Sequence, residues 1–167
     1  VDLNIAGFNL SGRISDIAEP GFVTIRYARK KARVILTAWI NHLVLCQATR
    51  TASLPTSLLI CKDLALQFKP VPESNGLLAD LLNLLRRGVE KPLHFFPESS
   101  SEYAEHLLNK SGSDSAALAK AGLKWRGGNS SKKFTFVESD DPYYDLCFRR
   151  ADPLDDEFKK TAVKVFE

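Results

Sequence analysis

Between Phe8 and Ile17 apolar and polar residues alternate in FNLSGRISDI, the period of a half-buried strand, and after the turn AEPG the run FVTIRYA reads as a second strand. The two predict a hairpin. From Ala32 to Gln47 the period changes: Val34, Ile35, Ala38, Trp39, Leu43 and Cys46 recur at helical spacing, and Ile40, Val44 and Leu45 carry apolar surface nearly all round. Such a helix belongs at the centre of a domain.

After the polar stretch TRTASLPTS, the short runs LLICK and LALQFK flank Asp63 and predict a second hairpin. Ser74 offers an N-cap to a helix whose stripe Leu77, Leu78, Leu81, Leu82 and Leu85 is read as core, with Gly88 and Pro92 closing it. LHFFP is apolar and extended, and Ser99 with Glu102 forms a capping box that starts a helix ending near Gly112. A weaker helix over DSAALAKAGLKW leads to RGGNSSKK, the best candidate in the chain for a mobile loop. Asp141 before Pro142 and Asp152 before Pro153 predict two further helix starts, the last helix carrying Phe158, Ala162, Val165 and Phe166 on one face. The pattern is α+β, with strands around a central helix early and helices late.

The 167 residues are 44% hydrophobic and 26% charged, enough for one globular domain with a real core. Val1 at the start and an unfinished helix at Glu167 read as a fragment of a larger subunit. No apolar run approaches the roughly 18 residues of a membrane span, and the start has no signal-peptide layout, so a cytoplasmic location is expected. Cys46, Cys61 and Cys147 are odd in number, scattered and set among apolar neighbours, which fits reduced core thiols. His42 and Cys46 stand one helical turn apart and could share a metal, but no second pair of zinc-like spacing accompanies them. The net charge of +3 divides unevenly: residues 1–134 hold 18 Lys and Arg against 11 Asp and Glu, residues 135–167 hold 5 against 9. A basic body of this kind permits contact with nucleic acid.

One motif bears directly on chemistry. Phosphodiester hydrolysis on a strand hairpin needs carboxylates to hold Mg²⁺ and a nearby Lys, with the second acid and the Lys at i and i+2 so that both point the same way. Nucleases of the RecB and AddB type read Gly-Arg-Ile-Asp on the first strand and Asp-Tyr-Lys on the second. Here the corresponding residues are Gly12, Arg13, Ile14, Ser15 and then Arg26, Tyr27, Ala28. The framework remains, while Ser15, Arg26 and Ala28 replace the three chemical residues. Asp16 and Glu19 remain the acids that a shifted hairpin could bring to a metal.

The stretch from LSGRISDIAEPGF through to the end of the central helix, with KPLHFFPESSSEYAE and DDPYYDLCFRRADPL, resembles the C-terminal domain of the RecC family, the gamma subunit of exodeoxyribonuclease V. The resemblance runs over essentially the whole chain. It implies a restriction-endonuclease-like (PD-(D/E)XK) mixed sheet with a central helix, additional C-terminal helices and lost catalytic residues. It also implies RecB and RecD type partners in an ATP-driven enzyme that resects double-strand breaks. No phosphate-cradling GxxxxGK[ST] loop is present, so neither ATP nor another cofactor is expected here.

Arg26, Arg29, Lys30, Lys31 and Arg33 crowd the start of the central helix, where cations are disfavoured and an anion is welcome. They are read as contacts to a DNA backbone without sequence recognition, or else as a solvated helix start. Arg126, Lys132 and Lys133 around the glycine-rich loop are weaker candidates, Trp39 and Trp125 are read as core, and Tyr143 and Tyr144 as anchors of a helix start. Three functions compete: DNA guiding with subunit docking, docking alone, and a nuclease with a rearranged site.

Overall fold

The computed structural model describes residues 1–18, 21–49, 55–108, 112–128, 137–149 and 151–167. Its chain divides into two compact units, Val1–Val89 and Glu90–Glu167.

The first unit opens with a hairpin of β1 (Asp2–Ile5) and β2 (Phe8–Ser11). Ala6 and Gly7 turn it with φ of 50° and 81°, the paired positive values that match the twist of the flanking strands. The single strand expected over residues 8–17 is therefore two pieces. β2 ends at Ser11, residues 12–16 are irregular, and Asp16 sits at φ 59° before β3 (Ile17–Ala18). Leu10 and Ile14 alternate because both pack on Ile5, Leu43 and Leu78. The alternation reported burial rather than strand pairing.

β3, β4 (Gly21–Ile25), β5 (Ser57–Ile60) and β6 (Ala65–Phe68) form a mixed sheet in chain order. β3–β4 and β5–β6 are antiparallel, as the two expected hairpins require, while β4 and β5 run parallel. A parallel pair needs a crossover, and α1 (Ala32–Ala48) supplies it. One side of α1 lays Val34, Ile35, Ala38 and Leu45 against Phe22 and Leu59 of the sheet. Another side sends Trp39, Leu43 and Val44 towards the first hairpin and α2 (Ser74–Glu90).

His42 lies fully buried between these layers. Its Nε2–H donates to the Lys69 carbonyl at 2.7 Å, which leaves Nδ1 to accept from the Ser57 hydroxyl at 2.8 Å. Both ring nitrogens are satisfied in the neutral form, and burial pulls the pKa below its ordinary value of 6.5.

α2 departs from expectation in three ways. Ser74 is the first helical residue and donates its hydroxyl to Gln47 Oε1 at 3.3 Å instead of capping. The helix runs past Gly88 to Glu90. Leu78 and Leu82 are buried, but Leu77 and Leu85 of the leucine stripe are exposed, because the band is wider than the surface that covers it.

The second unit holds α3 (Pro97–Leu108), α4 (Asp114–Arg126), a 3-10 turn at Glu138–Asp140, α5 (Pro142–Phe148) and α6 (Asp156–Phe166). Its core is aromatic: Phe96, Tyr103, Trp125 and Phe158 fill the space left by Ala117, Ala121 and Ala162. The capping box expected at Ser99 is replaced by a remote cap. Ser99 is buried one turn into α3, and the Glu138 carboxylate accepts from the Glu98 and Ser99 backbone N–H groups at 2.9 and 2.8 Å. Burial raises the Glu138 pKa against those hydrogen bonds. Asp141 caps α5 as expected, accepting from Tyr143 N–H, whereas Asp152 closes only a local turn onto Leu154 and Asp155 caps α6 three residues further on. Cys46 and Cys61 are buried, but Cys147 is exposed, because no residue of the short helix α5 is buried. Among the described residues no helix is long and apolar enough to cross a membrane.

Two stability predictions follow from the first unit. A Cβ on Gly21 would stand 1.7 Å from the Thr56 carbonyl oxygen, whereas one on Gly12 would meet nothing within 4 Å. Urea unfolding of Gly21→Ala should therefore show a loss of about 3 kcal/mol and Gly12→Ala almost none. Because the His42 pKa is lowered on folding, the unfolded chain binds the proton more readily. The stability of neutral His42 is complete above about pH 6.5 and is lost as pH falls below it. The advantage of wild type over His42→Gln should shrink on acidification, and an advantage that grew would contradict the neutral assignment.

Candidate nucleic-acid interface

The backbone after β4 does not leave the sheet at once. Arg26 N–H donates to the Ile60 carbonyl at 2.8 Å, Lys62 N–H donates to the Ala28 carbonyl at 2.9 Å, and Lys30 N–H donates to Asp63 Oδ1 at 2.7 Å. The segment carrying Arg26, Arg29, Lys30 and Lys31 is thus held along the turn between β5 and β6. All five cations, Arg33 included, are exposed. Among the described residues none of them takes part in an ion pair; the pairs formed by the acidic tail go to Lys91, His94, Arg126 and Lys159. Lys31 occupies the N-cap of α1 without a capping side-chain hydrogen bond, and the first turn holds no acid. Cations at this end oppose the helix dipole by a few tenths of a kcal/mol each.

Arg26 and Arg33 are brought together. They line one cavity of about 200 Å³ with Thr24 on β4 and Thr37 and Asn41 on α1, over a floor of Val34 and Ala38. Thr24 and Arg26 share a strand face at i and i+2, and Arg33, Thr37 and Asn41 share a helix face at steps of four. Thr37 returns its hydroxyl hydrogen to the Arg33 carbonyl at 2.8 Å, leaving its lone pairs towards solvent. No carboxylate contributes to the lining. The sequence reading singled out the two arginines but not Thr24, Thr37 or Asn41. The signal was present as the one row of polar residues at four-residue spacing on an otherwise apolar helix.

The other candidates separate. Arg29, Lys30, Lys31, Ser15 and Ala28 do not line the cavity. Ser15 is exposed and donates its hydroxyl to Asp16 Oδ2 at 3.2 Å. The β3–β4 ladder runs only over Ile17–Ala18, so strand pairing does not place Ser15 against Arg26. Glu19, Lys132 and Lys133 fall outside the described residues. His42 and Cys46 do meet, with Sγ 3.5 Å from Nε2, but that nitrogen is engaged by Lys69. Among the described residues no three His, Cys, Asp or Glu side chains gather as a metal site. Trp125 is buried with its ring 4.2 Å from Phe96, and Arg126 is paired with Asp152 at 2.7 Å. Tyr144 packs on Phe96 as an anchor should, but Tyr143 is exposed.

Tyr27, beside Arg26, is 94% exposed, the most open large apolar side chain among the described residues, with the Lys62 ammonium 5.8 Å from its ring centroid. The sequence reading used it only as part of a motif.

Comparison with known proteins bears on what this surface serves. The chain is 23% identical over 159 residues to the RecBCD enzyme subunit RecC of Escherichia coli (strain K12), an alignment that covers 92% of this chain. It spans only 14% of the length of that relative. The RecC C-terminal domain family matches residues 1–108, which hold β1 to β6, α1, α2, α3 and the basic segment between β4 and α1. The chain belongs to the RecC C-terminal domain family.

Proposed function

We propose that this chain is a non-catalytic, nuclease-like domain of a RecC-type gamma subunit. In this reading it guides DNA and docks against RecB and RecD type subunits of a cytoplasmic helicase-nuclease that works in double-strand break repair and recombination. The observation that carries the reading is the cavity between β4 and α1, which offers two guanidiniums and no carboxylate. Hydrolysis through bound Mg²⁺ would need acids at Ser15 and Arg26 and a Lys at Ala28; a guanidinium at one of those positions repels a cation and attracts a phosphate. The path from a hairpin through β4 and α1 to a parallel β5 supports a restriction-endonuclease-like, PD-(D/E)XK core. Of those three positions Arg26 lines the cavity, where it presents fixed positive charge to a phosphate.

Docking draws support from a separate feature. Leu77, Leu85 and Val89 are exposed along α2 at intervals of eight and four residues, an apolar row of the kind that partner subunits cover.

The chain should leave single- and double-stranded DNA intact in Mg²⁺ or Mn²⁺; cleavage abolished by Asp16→Ala would replace this reading with a rearranged nuclease. It should bind DNA weakly and without sequence preference, with log K falling against log salt by about 0.9 per phosphate neutralised on duplex. Replacing Lys30, Lys31 and Arg33 together by Glu should lower both affinity and slope, while the same change at Lys159, Lys160 and Lys164 should alter neither. A first triple variant that titrates like wild type would leave docking as the function.

A further inference from the structure

We infer that the cavity between β4 and α1 is a site for the terminal phosphate of a DNA strand, a phosphomonoester dianion, rather than for a phosphodiester within the strand. The inference rests on the DNA-guiding reading but asks more of it, since attraction of a backbone by exposed cations is indifferent to strand ends.

Charge is the first ground. Arg26 and Arg33 bring two permanent positive charges to the lining, and no Asp, Glu, His or Lys stands among its residues to offset or add to them. A phosphodiester carries one negative charge. A terminal phosphate carries nearly two above its second pKa of about 6, so it is the form that matches the pair.

Enclosure is the second. The cavity is walled by β4 and α1, and Val34 and Ala38 close its inner end, Ala38 being 3% exposed. Its volume of about 200 Å³ takes one phosphate with a few waters, each occupying roughly 30 Å³ in the liquid. A recess shut at its floor admits the end of a chain, whereas a phosphodiester brings a strand that has to pass in and out again.

The third ground is hydrogen bonding. The side chains of Thr24 and Asn41 have no hydrogen-bond partner among the described residues, whereas Thr37 gives its hydroxyl hydrogen to the Arg33 carbonyl. The donors left for an anion are two guanidiniums, one hydroxyl and one amide. A terminal phosphate offers three free oxygens to receive them and a phosphodiester only two.

The test compares an oligothymidylate phosphorylated at both ends with the same oligonucleotide ending in hydroxyls, and reads the ratio of their affinities for the chain. Wild type should favour the phosphorylated form about tenfold at about pH 7.5, and the ratio should fall about fourfold by about pH 5.5 as the terminal phosphate takes up a proton. Both arginines stay charged over that range, so the change belongs to the ligand. The double variant Thr24→Val with Asn41→Leu, which leaves every cation in place, should bring the ratio close to one, and Asn41→Ala alone should lower it, with thermal melting confirming that each is folded. A wild-type ratio close to one, or one that does not change with pH, refutes the terminal-phosphate site; a ratio unchanged in the folded double variant locates the preference elsewhere and refutes the cavity. DNA guiding is judged separately on the hydroxyl-ended oligonucleotide, where the Lys30, Lys31, Arg33 triple variant should bind more weakly whatever the ratio shows. Inorganic phosphate tested alone separates the other source: Asn41 side-chain amide resonances that move with it while the oligonucleotide ratio stays close to one would assign the cavity to a free anion and overturn the inference.

Discussion

Everything in the first unit depends on a single constraint, that α1 has to be covered on two sides at once. The helix is apolar on most of its circumference, so neither the sheet nor the hairpin with α2 alone could hide it, and both are recruited. The His42 side chain then links the layers. From α1 it reaches Ser57 on β5 with one nitrogen and the backbone just beyond β6 with the other, so that both hydrogen bonds break if the helix slides. Neutrality is part of the fit, because burial disfavours a second proton on the ring.

The row Arg33, Thr37 and Asn41 of α1 is polar, and it borders the end of β4 where Arg26 emerges. This is why a cavity exists there at all: the sheet ends, the helix begins, and the segment between them is tied to the β5–β6 turn by backbone hydrogen bonds rather than by side-chain salt bridges. The cationic side chains are consequently free of the job of holding the structure. Opposite conditions hold in the second unit, where Arg126, Lys91 and Lys159 are joined to acids of the same unit.

The sequence made the regular parts legible where one physical signal dominated. The helical period over residues 32–47 located α1 to within a residue, and Asp141 before Pro142 located α5, because a long apolar period and a cap next to proline have few alternatives. It misled where one pattern has two causes. Alternation across residues 8–17 came from the burial of Leu10 and Ile14 around an irregular stretch, and Asp152 before Pro153 closed a turn rather than a helix. Of the site, the arginines were legible as charge, but the partnership of Thr24 and Asn41 was not, since it arises only when a strand end and a helix face are brought side by side. The cap on α3 could not be read locally, because Glu138 lies 39 residues after Ser99.

That separation has a consequence for how the chain is made. Synthesis delivers α3 long before its cap, so on the ribosome the leading backbone N–H groups of this helix have no carboxylate to receive them, and its first turn frays until the 3-10 turn has emerged. The buried rings of Phe96 and Tyr103 can meet Trp125 of α4 before that, but Phe158 of α6 joins their cluster only afterwards. The second unit is therefore completed only with its last helix.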